Sequence, residues 1–550
     1  MNTFSRGAVV VGVFALIAAG GVFLSLSAPY SPDADELTYL VGTLQEKDGN
    51  LPDAYMLTGY EYNPYLYPYI MSRWYELLGY DTFKSVYLIF LILSTGLSAY
   101  AMFRLLWLPW IPALALSVVA LMPRFASGME IFGVFTFNVA QGRATAAPLF
   151  FIATALIIRR LVERAPLWPI FGVIGLCVFL HPVTVMLFAS IALLGVASTQ
   201  LLQRVPFWKV LRNTIVSGTV FVLGGSYFFV EVFERLARGA ADDGASSALY
   251  VSAVVDRVAW EFPAASILWF RHMAVVSALF LVILVLFYTV PALRALRARY
   301  PLPHSRDIVM WGSTVAVGSL ALCLTLPGLN LYFMEHANAP YIFQQWSRIS
   351  KFFYLGIFVA LAPIVYALWG WYRESVYRFK VVFATLLVLV SMMSSSFGFE
   401  VAQFFIGYRN FEKAYIPQVF SGIPDEITPE EYRETCRSLA QLGATSDTLV
   451  IHADFALRYY CKAKLYVTRE EGAAYLQLPR AGLIDWYTRQ LAQQKALGSA
   501  DPIVIFAFAA HVGADFVILP RVPEYESWKA LRGTGVGTTT RHIIIRVPST

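Results

Sequence analysis

The chain has 550 residues, of which 58% are hydrophobic and only 14% charged, against about 25% charged in soluble domains, so a soluble globular protein is excluded. The formal net charge is +6, but Lys and Arg fall in short clusters between apolar runs. That is a membrane-topology pattern and not a nucleic-acid footprint, so no nucleic-acid partner is expected.

A bilayer crossing needs about 20 mostly apolar residues, and about eleven candidate transmembrane helices follow one another. They lie at roughly 7–28, 85–106, 108–123, 144–162, 167–180, 182–199, 212–232, 272–292, 308–326, 352–371 and 380–397. The first has no small-x-small cleavage site before Tyr30, so it reads as a retained anchor. Four loops hold the Arg and Lys excess: Arg159 to Arg164, Arg204 to Arg212, Arg294 to Arg306 and Arg373 to Lys380. Alternation from a cytoplasmic N-terminus at Arg6 puts all four inside, as positive charge requires. The same path puts 29–84, 124–143, the His181-Pro182 turn, 233–271, 327–351 and everything after Phe397 outside.

Beyond Phe397 charges become frequent and strand-like runs appear at 447–452, 464–468, 516–520 and 542–547, with helical stretches at 429–442, 483–495 and 503–512 between them. Alternating strands and helices predict an α/β domain. The expected fold is therefore a polytopic α-helical membrane protein, with a transmembrane domain over 1–397 and an extracytoplasmic, periplasmic α/β domain over 398–550. Cys177 and Cys323 fall in spans, whereas Cys436 and Cys461 fall in the exported domain, where an oxidising compartment permits a disulfide between them.

Chemistry-bearing residues collect on the outer segments. The first carries Asp33, Asp35 and Glu36 just after the first span. Three carboxylates so close can supply a general base or hold Mg or Mn, with Asp33 and Asp35 the candidate metal ligands; a solvated acidic loop has the same composition. Glu61, Asn63 and Tyr65 follow within Tyr60-Glu-Tyr-Asn-Pro-Tyr, a run that suits sugar binding or an interfacial aromatic belt. Arg124 and Arg143 break the charge asymmetry on the outer side, where a guanidinium fork suits a phosphate or a lipid headgroup. His181 sits at a span boundary as a functional group or a helix cap. The segment before the tenth span holds Glu335, His336, Gln344, Arg348 and Lys351; the last three recur at helical spacing, as a phosphate-binding face or a headgroup anchor.

With Asp33-Ala-Asp-Glu36 opening a long first outer loop, many spans and a C-terminal α/β domain, the chain resembles the GT-C superfamily of polyprenyl-phosphate-sugar-dependent glycosyltransferases. The resemblance implies an inverting transfer, at a bacterial inner (plasma) membrane, from a polyprenyl-phosphate sugar to an extracytoplasmic glycan, lipid or protein acceptor. It implies Asp35 as general base, supported by Glu36 or Asp33, and donor-phosphate ligands among Arg124, Arg143, Arg348, Lys351 and His181. Glu61, Asn63, Tyr65, Glu335, His336 and Gln344 are the substrate-binding candidates. Two departures stand out: Asn63-Pro64-Tyr65 replaces the His-Pro-Pro type segment of many relatives, and no WWDYG-like oligosaccharyltransferase motif occurs. A lipid-linked-sugar transporter or flippase, or a non-catalytic scaffold for polysaccharide assembly, are the competing readings. A transporter path would need ionisable groups deep in several spans, and most span centres here carry none.

Overall fold

A computed structural model describes residues 3–27, 73–74, 77–78, 80–121, 145–230, 247–257, 278, 280–336, 349–375, 428–445, 447–454, 456–468, 480–522, 525 and 536–547. The membrane part contains α1 (Thr3–Ser27), α2 (Tyr80–Leu105), α3 (Trp110–Leu121), α4 (Ala147–Val162), α5 (Trp168–Leu176), α6 (Pro182–Leu202) and α7 (Phe207–Gly224). It continues with α8 (Ser247–Arg257), α9 (Phe280–Thr289), α10 (Pro291–Arg299), α11 (Ser305–His336) and α12 (Ser350–Glu374).

Among the described residues, α1, α2, α6, α11 and α12 are long and apolar enough to cross a membrane, and α9 with α10 makes a sixth if the bent pair is one span. The helices α3 and α5 are apolar but shorter. Ten of the eleven expected spans thus fall on helices, while 380–397 lies outside the described residues. Two differ in shape. The expected 272–292 span bends by 78° between α9 and α10, because Pro291 lacks the amide donor and keeps Val290 extended (φ −66°, ψ 125°). The expected 308–326 span is a helix of 32 residues, about 48 Å at 1.5 Å per residue, well beyond a hydrocarbon core of about 30 Å.

Three helix ends share one turn. Trp107 (φ 65°), Arg164 (φ 55°) and Arg204 (φ 60°) are left-handed, and each is followed by one apolar residue and then Pro109, Pro166 or Pro206. The next amide closes each turn on a carbonyl five residues back: Leu108 to Phe103 at 3.1 Å, Ala165 to Arg160 at 2.9 Å and Val205 to Gln200 at 2.9 Å. This is the Schellman ending that glycine usually supplies, here made by side-chain-bearing residues at a cost of about 1 kcal/mol each.

Side chains then gather these turns at one end of the bundle. The Arg159 guanidinium lies 5.6 Å from the Trp107 ring centre, Trp107 lies 4.9 Å from His304, and Gln203 Nε2 donates to Asp307 Oδ1 at 2.8 Å. Arg299 pairs with Glu374. All four basic loops read from the sequence therefore meet at this basic end, and Arg104, donating to the Leu108 carbonyl, joins them.

Packing across the bundle rests on small residues. A Cβ on Gly312 would stand 2.6 Å from the Gly356 carbonyl oxygen and 2.7 Å from the Ala360 nitrogen, and one on Gly356 would stand 2.5 Å from the Gly312 oxygen. Gly312 and Ala316 on α11 thus face Gly356 and Ala360 on α12, a small-xxx-small pair on both helices. A second crossing sets Gly175 of α5 against the Phe221 carbonyl of α7, and Gly224 against Gly172. Phe150, Phe188 and Phe352 join α4, α6 and α12, with ring centres 4.8 to 5.4 Å apart.

The C-terminal domain comprises α13 (Pro429–Gln441), β1 (Leu449–Ile451), α14 (Ala456–Cys461), β2 (Lys464–Leu465), α15 (Arg480–Gly498), α16 (Pro502–His511), β3 (Phe516–Pro520), β4 (Val536–Thr538) and β5 (His542–Arg546). Its sheet runs β2-β1-β3-β5-β4, with β1 parallel to β2 and β3 and the β3-β5-β4 pairs antiparallel. The strands β3 and β5 are buried along four residues each, Phe516 to Leu519 and His542 to Ile545, as both-face burial requires of near-continuous apolar runs. Thr428 and Glu431 form a capping box on α13, and Cys436 and Cys461 are disulfide-bonded, tying α13 to α14. The four expected strands and three expected helices are present; α14, β4 and α8 are additions.

Replacing Gly356 by Val is expected to destabilise the purified protein by about 3 kcal/mol through overpacking against α11. Melting in detergent checks this, with Gly356→Ala intermediate and Gly12→Ala neutral, since a Cβ at Gly12 meets nothing within 4 Å. A Gly356→Val protein that melts like the wild type would remove the close-approach account.

Candidate functional site

Because α2, α4, α6 and α12 run into the basic end and α3, α5, α7 and α11 run out of it, the opposite end receives the start of α2, the start of α4, the α5–α6 turn and the end of α11. Those are the junctions of the 29–84, 124–143, His181 and 327–351 segments. At this end the hydroxyls of Tyr87 and Thr145 are bonded at 2.9 Å, which fixes where the second segment re-enters the bundle.

His181 occupies the helix cap its sequence position allowed. It is buried, extended (φ −159°, ψ 93°), precedes Pro182 at the first helical position, and its Nδ1 accepts from the Thr184 amide at 3.3 Å. Accepting there puts the ring proton of the neutral form on Nε2.

Glu335 and His336 stand exposed on the last turn of α11. The His336 ring stacks on Tyr332, with centres 4.5 Å apart and planes at 19°, and its Nδ1 lies 3.1 Å from the Tyr332 carbonyl oxygen. Lys351 belongs to the first turn of α12. Asp33, Asp35, Glu36, Glu61, Asn63, Tyr65, Arg124, Arg143, Gln344 and Arg348 lie outside the described residues. Among the described residues there is no group of three His, Cys, Asp or Glu able to hold a metal; the hard oxygen donors Asp33 and Asp35 fall outside that set, and their chemistry suits Mg or Mn.

A second polar cluster, which sequence reasoning missed, lies in the C-terminal domain. The strand β1 has one parallel neighbour reached through α14 and another reached through α15 and α16, so its carboxyl end is the point where the connections diverge. His452 follows β1 there. Its Nδ1 is 3.0 Å from the Ile518 carbonyl, which can only accept, so Nδ1 carries the proton.

Against it, ring centres 5.3 Å apart and planes perpendicular, stands His542. The Thr435 hydroxyl donates to the Glu431 carbonyl at 2.9 Å, so the 2.9 Å contact between Thr435 and His542 Nδ1 is donated by the histidine. Gln493 Nε2 donates to the Val467 carbonyl at 3.0 Å and the His452 carbonyl at 3.4 Å, closing the carboxyl ends of β1 and β2. Asp454 accepts from the Tyr432 hydroxyl and, at 2.9 Å, from the Ala456 amide.

Burial holds both imidazoles neutral. It pushes His542 down to about 3, helped by the neighbouring His452 and Arg541 and opposed by Glu431; it also lowers His452, against the pull of Asp454 and the Ile518 hydrogen bond. For Glu431 burial acts upward, but the Thr428 amide and the Arg541 guanidinium outweigh it and hold the carboxyl below its usual range. Two alternating-strand residues and a helix threonine give no local pattern, so only the sheet register could have joined them.

No family model matches the chain, and no curated protein matches it. Among solved structures, the crystal structure of ArnT from Cupriavidus metallidurans bound to undecaprenyl phosphate is similar over 100% of this chain and 99% of that one, at 12% identity and a TM-score of 0.49.

A histidine whose folded pKa lies below its unfolded value of 6.5 stabilises only while neutral. The C-terminal domain should therefore keep its full stability above about pH 6.5 and lose it as pH falls toward 3, by about 3 kcal/mol over the first two pH units from His542 alone. Hydrogen exchange of the β3 and β5 amides in the full chain reads this. His542→Gln should flatten the dependence, and an unchanged slope in that variant would show that other groups control it.

Proposed function

We propose that the chain is a membrane glycosyltransferase that moves a sugar from a polyprenyl-phosphate donor to an extracytoplasmic acceptor, a glycan, lipid or protein. The observation that carries this reading is segregation. The segments bearing the acidic motif, the outer arginines, His181 and the Gln344-to-Lys351 run all join the bundle at the end opposite the basic turns. Positive charge marks the cytoplasmic side, so the reactive residues gather on the outer face of a bacterial inner membrane, with the N-terminus inside and the C-terminal domain in the periplasm.

The donor enters from the outer leaflet with its phosphate against Arg124, Arg143, Arg348 or Lys351, whose charge neutralises the leaving group. Asp35 takes the proton from the acceptor hydroxyl as that oxygen bonds to the anomeric carbon from the face opposite the phosphate. The carbon–oxygen bond to the phosphate breaks, and polyprenyl phosphate leaves with the electron pair, inverting the configuration. Asp33 and Glu36 support Asp35, or Asp33 and Asp35 hold a Mg or Mn ion that would add positive charge beside the phosphate.

The transporter reading has less support. The interiors of α1, α2, α6, α11 and α12, residues 7–27, 85–103, 182–202, 308–334 and 352–372, carry no Asp, Glu, Lys or Arg, whereas a polar path through the bilayer needs several.

Membrane vesicles given radiolabelled undecaprenyl-phosphate sugars test the assignment. Wild type should consume a donor, Asp35→Asn should be slower by about 10²- to 10⁴-fold, and an EDTA arm decides whether a metal takes part. An Asp35→Asn protein as active as wild type would end the assignment of that base, and inertness toward every donor would end the transferase reading.

A further inference from the structure

The helix α11 is too long for the bilayer, and its first turn is fixed at the basic end by the bond from Gln203 to Asp307. Tyr332 lies 27 residues beyond Ser305, about 40 Å along the axis, which is about 10 Å more than the thickness of a hydrocarbon core of about 30 Å. The tip of α11 emerges there, carrying Tyr332, Phe333, Met334, Glu335 and His336.

Met334 is fully buried at that tip, among Tyr250, Ala253 and Val254 of α8 and Val467, Leu483 and Trp486 of the C-terminal domain. Trp486 is fully buried too, and its indole N–H donates to the Thr468 carbonyl at 2.9 Å. Three distant segments of chain thus hold one methionine. A helix gripped on one face cannot rotate about its axis, so the residues on its other face keep a fixed direction.

The exposed surface of the tip sets polar groups beside Leu329 and Phe333. Tyr332 is 56% exposed, stacked with the His336 imidazole, and Glu335 stands exposed beside it. The stack holds the exposed Tyr332 ring in place, so its free face can meet the C–H face of a sugar, and a carboxylate on the same helical turn can accept hydrogen bonds from hydroxyls. Glu335 also lies 13 residues before Arg348 in the chain, one of the four candidate phosphate ligands of the proposed donor site.

We infer that the stacked Tyr332–His336 pair is a saccharide subsite for the donor's sugar, and that Met334 and Trp486 are positioning residues that aim it. The inference rests on the glycosyltransferase reading for the identity of its ligand, but its test needs no turnover.

Purified full-length protein is titrated with a panel of undecaprenyl-phosphate hexoses and pentoses and, separately, with undecaprenyl phosphate. At least one sugar-bearing lipid should bind more tightly than the bare lipid. Tyr332→Ala should weaken that lipid by about 3- to 10-fold, the scale of one ring-stacking contact, and leave the bare lipid unchanged, while Tyr332→Phe keeps the stack and the affinity. Trp486→Ala should give the same selective loss and make a Met334→Cys thiol reactive toward a water-soluble maleimide, whereas Trp486→Phe restores both.

Equal effects on sugar-bearing and bare lipid would overturn the subsite in favour of an interfacial aromatic anchor, as would a panel in which no sugar improves binding. Selective binding in a protein that transfers nothing would instead sink the transferase reading and leave the subsite standing.

Discussion

The contact on which the rest of the architecture depends is the backbone-to-backbone approach of α11 and α12 at Gly312 and Gly356. In lipid, helices gain little from burying apolar side chains against each other, because the tails are equally apolar; close packing and short-range contacts must supply the association. Two glycines, each four residues before an alanine, let α11 and α12 lie backbone against backbone without side chains between them. Gly195 and Gly318 then seat α6 on α11, against Trp311, Val315 and Leu194. The helix α11 is thereby a fixed rod with one end bonded among the basic turns and the other under the C-terminal domain.

The basic turns solve two problems with one device. Each helix must end sharply so that the next can return, and each end must stay on the charged side. A glycine would make the left-handed ending without strain but would carry no charge. Arg164 and Arg204 accept the strain and hold a cation at the same position, and the following proline prevents the helix from continuing. At the third turn Trp107 takes the left-handed place and provides the ring that Arg159 and His304 meet.

Hydropathy and charge spacing made much of this legible: ten apolar segments that fall on helices, the gathering of the basic loops at one end of the bundle and the order of strands and helices in the tail can be read from period and composition. What could not be read has physical causes. The 78° bend at Val290 and Pro291 lies within an apolar run whose composition is that of a straight span. The Gly312–Gly356 crossing involves residues 44 positions apart, and nothing local marks which of the many glycines approach a backbone. At the site, single residues could be singled out as chemically apt, and His181 illustrates the limit: the same position serves a cap, and the Thr184 amide takes the ring nitrogen. The buried pair His452 and His542 is joined by register across β3, a relation with no sequence period.

The C-terminal domain is built more rigidly than a cover needs to be. The disulfide ties α13 to α14, the ion pair of Arg541 with Glu431 ties β5's approach to the first turn of α13, and two neutral imidazoles fill the carboxyl edge of the sheet. Each of these constrains the sheet against its helices, and the face of α15 that bears Leu483 and Trp486 is what the sheet in turn supports, through Gln493 and the Thr468 carbonyl. Rigidity in a domain joined to the bundle through α8 and the tip of α11 is transmitted to that tip, because close-packed contacts yield little under strain. A loosely folded domain could shield the surface equally well, but it could not hold Met334 in one orientation and so could not fix the direction of the residues on either side of it.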